Sequence, residues 1–298
     1  MKTILVTGGS GFIGRHFCAQ AVFLGFGVIV ISRDVPAAKQ ILPDAVQVLS
    51  DLDELSASFT IDVIVNLAGE PLAKKRWSKK QKQLFYTSRG DFTKRLFNFF
   101  ALRDSVPEIL ISGSAVGYYG PGSDPLIESS EYVDGFSHQL CTHWEASARQ
   151  FEKLGTRVCL IRTGIVLGDQ GALAEMLPPF KLGLGGVMGS GQQYMSWIHV
   201  YDMVALLIHC IETQKLSGPI NATAPSPLRN YQFVKILAGV LRRPAILPMP
   251  QWLIRLLFGE MGEELLLQGQ QVLPLKATQS GFVFMFPELK LALEDIIL

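Results

Sequence analysis

The chain has 298 residues, enough for one large domain or two modest ones, and 48% of them are hydrophobic. Its formal net charge of +1 argues against a general nucleic-acid binder, and its four scattered cysteines include no CxxC pair that would indicate a zinc site. No apolar run is long enough for a membrane span and no secretion signal opens the chain, so we expect a cytoplasmic protein.

Strand-like and helix-like segments alternate from residue 2 to about 167. The strand-like runs are rich in Val and Ile and apolar on both faces, as strands buried beneath helices are: KTILVT, GVIVIS, AVQVLS, DVIVNLAG, EILISGSA and RVCLIRTG. Helices are predicted over 12–24, 78–103 and 138–154. This alternation predicts an α/β fold built on a Rossmann-type doubly wound parallel sheet.

The first strand is joined to the first helix by the stretch LVTGGSGFIG, which spaces three glycines at intervals of three. Glycines in this context allow a tight turn and the close approach of a pyrophosphate to the helix N-terminus. Because the second strand follows at the required distance, the sequence predicts a dinucleotide site. We expect cofactor contacts from Thr7, Gly8, Ser10, Gly11, Phe12, Ile13, Gly14 and Arg15.

The end of the second strand decides between NAD and NADP. An NAD site usually has an acidic residue there that binds the ribose hydroxyls. Here Ser32 best matches that position and Arg33 follows it, whose planar guanidinium suits a 2′-phosphate. Asp34 is the counter-argument, because an inward-facing carboxylate would favour NAD. We predict NADP(H), bound through Ser32 and Arg33.

After about residue 170 the alternation ends in loops rich in Gly and Pro. A helix is predicted near 201–213 and a strand near 219–222. Residues 230–298 are predicted to be mostly helical, with Pro287 in the first turn of the last helix. We therefore predict a smaller, mostly helical C-terminal region after the sheet.

Several motifs resemble the extended short-chain dehydrogenase/reductase superfamily in its sugar epimerase and dehydratase branch. Within this resemblance NLAG at 66–69 matches the segment beside the cofactor, and Ser114 in ISGSAVGYYG matches the catalytic serine. NLAGEPLAKKRW, KLGLGG and the apolar tail further resemble bacterial epimerase-family proteins whose C-terminal domain has no known function. The cofactor contacts that we expect on this basis are Asp51, Leu52, Asn66, Leu67, Ala68, Gly69, Ser112, Gly113 and Arg162.

One departure from the superfamily concerns proton transfer. The superfamily uses a Tyr-x-x-x-Lys pair about twenty to thirty residues after the serine, in which the lysine lowers the tyrosine pKa. The corresponding stretch here is GFSHQLCTHWE. Counting back from Glu145 aligns Ser137 and Cys141 with the pair, and a second register aligns Phe136 and Leu140. Neither register supplies a tyrosine or a lysine.

Residues near the carboxyl ends of the strands are candidates for the missing chemistry. Tyr118 or Tyr119 would supply a proton, with pocket lining or packing as the alternative. His138 is a candidate because imidazole titrates near neutral pH. The Tyr-x-x-x-Lys spacing at 231–235 lies far downstream, and we interpret it as a coincidence on a helix face. The predicted catalytic set is Ser114, Tyr118, Tyr119 and His138, without a metal.

A second departure concerns the substrate. The late loop of the superfamily commonly has an arginine for the diphosphate of a nucleotide sugar, and Met195 stands at the aligned position here. Arg229 is a possible replacement. The basic run at 74–82 is either a solvated helix face or a substrate contact, in which Arg76 and Trp77 would meet an anionic, partly planar molecule. The predicted substrate contacts are Glu70, Arg76, Trp77 and Arg229.

These observations predict two domains and leave two alternative functions. We divide the chain into an NADP-binding Rossmann domain at 1–168 and a C-terminal substrate region at 169–298, with 199–222 packing back on the first and about 240–298 as a family-specific tail. The leading hypothesis is an NADP-dependent oxidoreductase or epimerase (an isomerase) with a small anionic or sugar-like substrate. The alternative is a catalytically silent NADP(H)-binding redox sensor or partner-binding protein. A homodimer is the possible assembly, with no nucleic-acid or membrane partner.

Overall fold

A computed structural model of the chain describes residues 2–56 and 59–298. Its strands, in chain order, are β1 (Thr3–Thr7), β2 (Gly27–Ile31), β3 (Gln47–Leu49), β4 (Val63–Asn66), β5 (Ile109–Ala115), β6 (Pro125–Leu126), β7 (Arg157–Thr163), β8 (Ile165–Leu167), β9 (Tyr194–Met195), β10 (Trp197–His199), β11 (Gly218–Ala222), β12 (Leu228–Arg229) and β13 (Gln271–Val272). Its helices are α1 (Phe12–Phe23), α2 (Val35–Ile41), α3 (Lys79–Tyr86), α4 (Phe92–Ala101), α5 (Phe136–Arg149), α6 (Ala172–Lys181), α7 (Val200–Glu212), α8 (Asn230–Leu241), α9 (Gln251–Phe258), α10 (Glu260–Gly262), α11 (Leu275–Gln279) and α12 (Leu289–Ile297).

The central sheet is parallel and has the order β11-β7-β5-β4-β1-β2-β3. The strand order reverses at β1, whose last residue, Thr7, pairs with Ile31 of β2 on one side and with Asn66 of β4 on the other. Open parallel sheets bind ligands outside the carboxyl ends of the strands at such a reversal. The fold therefore provides a site at the β1–α1 loop.

Two apolar layers cover the sheet, one on each face. Alternate residues of β1 enter different layers: Ile4 and Val6 pack with α1 and α7, whereas Leu5 packs with α4 and the turn after α5. The buried positions of α1 are Gly14, Phe17, Cys18 and Ala21, the spacing of an amphipathic helix. The Rossmann-type doubly wound fold predicted from the sequence is confirmed.

The C-terminal residues contribute to a third apolar cluster and pair with an earlier strand outside the central sheet. The cluster contains Leu289, Ala292 and Leu293 of α12, together with residues of α6 and α8. Val272 of β13 donates its N–H to the Ser196 hydroxyl at 2.9 Å, and β13 pairs with β6. The predicted division at 168/169 stays a prediction. Strand β11, which follows that boundary, belongs to the same sheet as the strands before it.

The predicted elements agree with the structure in the main, with three corrections. The helix predicted over 78–103 is observed as α3 and α4 joined by a π-helical turn, Thr87–Asp91. The prediction for Pro287 is wrong: α12 begins at Leu289 with Glu288 as its N-cap, so Pro287 lies before the helix. Pro178 and Pro179 lie inside α6, where the sequence indicated only a loop.

Candidate functional site

The glycine loop at the end of β1 leaves an open helix terminus. Gly8 has φ +69°, and a Cβ added there would lie 2.6 Å from the carbonyl oxygen of Leu67. A Cβ on Gly14 would lie 2.2 Å from the carbonyl oxygen of Gly8, so packing alone requires these two glycines. Gly11 is less crowded, and no side chain caps the N-terminus of α1 there. The first N–H groups of α1 are thus available to an anion.

The residues at the end of β2 have separate roles. The Asp34 carboxylate accepts the Ala37 N–H at 3.0 Å and caps α2. The Ser32 hydroxyl donates to the backbone carbonyl of Asp34 at 3.1 Å. Arg33 is exposed, and its side chain makes no hydrogen bond or ion pair within 2–56 and 59–298. This arrangement leaves a free guanidinium at the strand end and turns the Asp34 carboxylate toward the N-terminus of α2.

Other predicted cofactor contacts are already paired within the protein. Arg15 forms an ion pair with Asp169, although its Nε has no hydrogen-bond partner among the described residues. Asp51 receives a 2.6 Å hydrogen bond from Arg95, which lowers the pKa of the Asp51 carboxyl. The Asn66 side chain links Thr7 at 2.6 Å to a residue of α4. These contacts support the carboxyl edge of the sheet, and a direct role toward cofactor stays a prediction for each.

Ser114 lies beside a buried ion pair. Its hydroxyl donates to Glu145 Oε1 at 2.8 Å, and Arg162 donates to both oxygens of that carboxylate at 2.8 and 3.0 Å. The side chains of Glu145 and Arg162 are 5% and 3% exposed, so this pair is a core feature joining α5 to β7. The Ser114 proton is therefore held by Glu145 rather than directed at a ligand. Arg162, predicted to contact cofactor, binds Glu145 instead of lining an open cleft.

The three predicted proton donors differ in how they are held. Tyr119 is buried, donates its hydroxyl to Asn221 Oδ1 at 2.7 Å, and has its pKa raised by that burial. His138 bonds the Tyr118 carbonyl through Nδ1 at 2.5 Å and stacks on Tyr132. Tyr118 is half-buried with its ring against the Arg162 guanidinium, and its hydroxyl has no hydrogen-bond partner in the described part of the chain. Of the three, only Tyr118 keeps a free donor.

The face of α5 that meets β5 identifies the register of the missing pair. Cys141 and Glu145 lie on that face, and Ser137 contacts the chain at Gly117, whereas Phe136 packs against Trp77. These contacts favour the register with Ser137 and Cys141 over the one with Phe136 and Leu140, and the match to the superfamily pair stays a prediction. Burial raises the pKa of the Cys141 thiol to about 11, so this group is neutral at pH 7.

The predicted substrate residues lie in two places. The Glu70 N–H donates to the Ser88 hydroxyl at 3.0 Å beside the end of β4. Trp77 donates its indole N–H to the Leu72 carbonyl at 2.9 Å, and exposed Arg76 lies beside Gly259 of the C-terminal region. Arg229 pairs with the late loop, donating to the Gln192 carbonyl at 2.8 Å next to buried Met195.

Two residues at the site were missed in the sequence analysis. Glu264 accepts the Ser137 hydroxyl and thereby brings a carboxylate from the C-terminal region to the start of α5. Arg89 is 9% exposed and lies in the π-helical turn before α4. The spacing of Phe85, Arg89 and Thr93 places a charge on a buried helix face, which was a signal visible in the sequence. No sequence signal indicated Glu264.

Two further features, a metal site and a membrane-spanning helix, are not found among the described residues. Among them, no group of three or more His, Cys, Asp or Glu side chains is arranged to hold a metal ion. None of their helices combines the length and apolar character needed to cross a membrane.

Comparison with known proteins agrees with this geometry. Residues 4–222 match the model of the NAD dependent epimerase/dehydratase family, and residues 249–296 match a domain of unknown function, DUF1731. The chain belongs to the NAD dependent epimerase/dehydratase family. It is 36% identical over 297 residues to the epimerase family protein YfhF of Bacillus subtilis (strain 168), covering 99% of this chain and 97% of that protein.

Solved structures of the same family have the same fold. The human epimerase family protein SDR39U1 (isoform2), solved with NADPH, superposes with a TM-score of 0.88 at 33% identity, covering 99% of this chain and 98% of that chain. A nucleoside-diphosphate sugar epimerase from Corynebacterium glutamicum gives 0.78 at 29% identity, covering 99% of this chain and 58% of that one. The predicted membership of an atypical epimerase family with this C-terminal domain is confirmed.

Proposed function

We propose that this family member is an NADP(H)-dependent oxidoreductase or epimerase with a small anionic or sugar-like substrate. The observation that carries the cofactor proposal is the arrangement at the end of β2: Asp34 caps α2, and Arg33 is left exposed and unpaired by the described residues. A guanidinium binds a 2′-phosphate, whereas a carboxylate would be needed for the ribose hydroxyls of NAD. The NADPH in the related human structure supports this choice.

The uncapped N-terminus of α1 supports a bound pyrophosphate beside Gly11. Bound NADPH would supply a hydride, and the residues of this chain would orient the substrate and provide the proton. Tyr118, whose ring packs against the Arg162 guanidinium and whose hydroxyl has no hydrogen-bond partner among the described residues, is the donor best supported for that step. Glu70, Arg76, Trp77 and Arg229 remain the proposed substrate contacts, and a homodimer stays a prediction.

Calorimetric titration of NADPH and NADH against wild type, Arg33→Ala and Asp34→Ala tests the cofactor proposal. Loss of a charge-assisted contact costs about 1.5–3 kcal/mol, so we expect Arg33→Ala to weaken NADPH binding about 10- to 100-fold. Asp34→Ala should lose about 1 kcal/mol of stability as a missing N-cap while NADH affinity stays unchanged. Equal affinities for NADPH and NADH in the wild type would refute the proposal.

A catalytically silent NADP(H)-binding sensor is the second candidate. It is favoured by the serine and neutral cysteine at the positions of the superfamily pair, and by the Ser114 proton held on Glu145. A screen of purified protein for NADPH oxidation with small carbonyl compounds and sugar derivatives separates the two candidates. Turnover supports the enzyme, and tight NADPH binding without any turnover supports the sensor.

A further inference from the structure

Arg89 carries a buried charge that forms no ion pair with the described residues; the Glu70 carboxylate, farther away, only partly opposes the lowering of the Arg89 pKa by burial. No carboxylate lies within ion-pair distance of its guanidinium in residues 2–56 and 59–298, and its hydrogen bonding is limited to a 3.5 Å contact with the Ser88 hydroxyl. The rings of Trp144 and Phe85 lie 5.2 and 5.9 Å from Cζ. A buried ion normally has a partner, because desolvation costs several kcal/mol per ion. This guanidinium therefore lacks its partner in the protein alone.

Gly69 lies next to the Arg89 guanidinium and has no side chain to fill the space beside it. A Cβ at Gly69 would lie 3.0 Å from Cζ of Arg89 and 3.1 Å from Nη2. Gly69 itself is exposed and follows β4 at the carboxyl edge of the sheet. Because any larger residue would lie against the guanidinium, glycine at this position keeps the sheet edge next to Arg89 free of a side chain. A π-helical turn, frequent at functional sites, holds Arg89 in this position.

The sheet order indicates which half of a dinucleotide this charge would meet. A dinucleotide lies across the strand reversal at β1 with its pyrophosphate at the start of α1. Arg33 marks the adenosine side at the end of β2. Arg89 lies beyond the end of β4, on the opposite side of β1, together with Ser114 of β5. The partner of Arg89 therefore belongs to the nicotinamide half.

We propose that Arg89 binds the nicotinamide mononucleotide half of the cofactor, donating its N–H groups to the ribose and phosphate oxygens there. This inference rests on the proposed function. The surroundings suit such a role: burial lowers the pKa of Arg89 to about 10, which still leaves it charged at pH 7. The neighbouring Cys141 thiol is neutral and does not compete for the charge. An arginine also presents several donors in one plane, which matches adjacent oxygens.

A cofactor fragment separates this role from a general effect on the site. Binding of NADPH and of adenosine 2′,5′-bisphosphate, which lacks the nicotinamide half, is measured by calorimetry for wild type, Arg89→Met and Arg89→Gln. Lys94→Met, at an exposed cation in the first turn of α4, is the matched control. We expect both Arg89 variants to weaken NADPH about 10- to 100-fold and to leave the fragment within about twofold, as Lys94→Met should for both ligands.

Thermal unfolding without ligand gives a second readout. If Arg89 had only a structural role, its replacement would lower the melting temperature. Because the charge is unpaired, Arg89→Met should melt at the same temperature as wild type or higher, with a smaller shift on adding NADPH. Unchanged NADPH affinity in folded Arg89→Gln, or an equal loss for NADPH and the fragment, would overturn the inference. A wild type that binds neither ligand would instead overturn the proposed function on which it rests.

Discussion

Arg33 and Asp34 are neighbours in the sequence, but only Asp34 is held by the fold. The pattern Asp34-Val35-Pro36 is typical of a helix N-cap followed by proline in the first turn, so this role was visible in the sequence. The Ser114–Glu145–Arg162 cluster was not predictable in the same way. Its members are separated by 31 and 17 residues, and only the adjacency of β5, β7 and α5 in space brings them together.

At the scale of single residues, replacing Tyr118, whose hydroxyl is free, tests the proposed catalytic role. If the NADPH oxidation screen identifies a substrate, Tyr118→Phe should reduce kcat about 10²- to 10⁴-fold, because a general acid contributes that much. Tyr119→Phe is the matched control, since its hydroxyl is bonded to Asn221. NADPH affinity is measured separately by fluorescence. Full turnover in Tyr118→Phe would exclude Tyr118 as the donor.

The hydrophobic periodicity of the sequence predicted the regular strands and helices better than it predicted where they end or become irregular. The strands of the main sheet and the helices α1, α5 and α7 were predicted because each has a continuous buried face. The π-helical turn Thr87–Asp91 was not, because hydrophobic periodicity does not distinguish one π-helical turn from continuous α-helix. Nor was α6, whose two internal prolines argue against a helix on local grounds.

The start of α7 carries a pH-dependent cap. His199 is 1% exposed, and its Nδ1 accepts the Tyr201 N–H at 3.1 Å, which only an unprotonated Nδ1 can do. Burial lowers the pKa of His199 from 6.5 to about 4, with Asp295 opposing the shift. Between these values the unfolded chain binds a proton that the folded chain does not. This stabilisation is therefore complete above pH 6.5 and is lost as the pH falls toward 4.

We expect the free energy of unfolding to fall by up to about 3 kcal/mol from this one group as the pH drops from 7 to 4. Asparagine is also a good N-cap but does not titrate in this range, so His199→Asn should remove that part of the slope. Urea unfolding at pH 7, 6 and 5 measures it. His143→Gln, at a half-exposed histidine, is the control. Equal slopes in wild type and His199→Asn would contradict this account.

At the scale of the whole molecule, the C-terminal residues are bound to the sheet by buried polar contacts. Asp202 of α7 accepts the N–H groups of Met285 and Phe286 at 2.7 and 2.9 Å. Glu128 Oε1 accepts the N–H groups of Asn221 in β11 and Lys276 in α11, each at 3.1 Å. The sequence analysis assigned about 240–298 to a family-specific tail, and these long-range bonds could not be predicted from local sequence patterns. The two regions are expected to unfold together.

Calorimetry of the unliganded chain should therefore show one unfolding transition, and NADPH should move all of it. At a free concentration of 100 times Kd the cofactor adds about 2.7 kcal/mol, a rise of about 4 °C for a chain of this size. Asp202→Ala removes the acceptor of two part-buried hydrogen bonds, each worth about 0.5–1.5 kcal/mol, and should lower the midpoint of the same single transition. Two transitions, of which NADPH moves only one, would instead mean that the C-terminal region folds independently of the sheet.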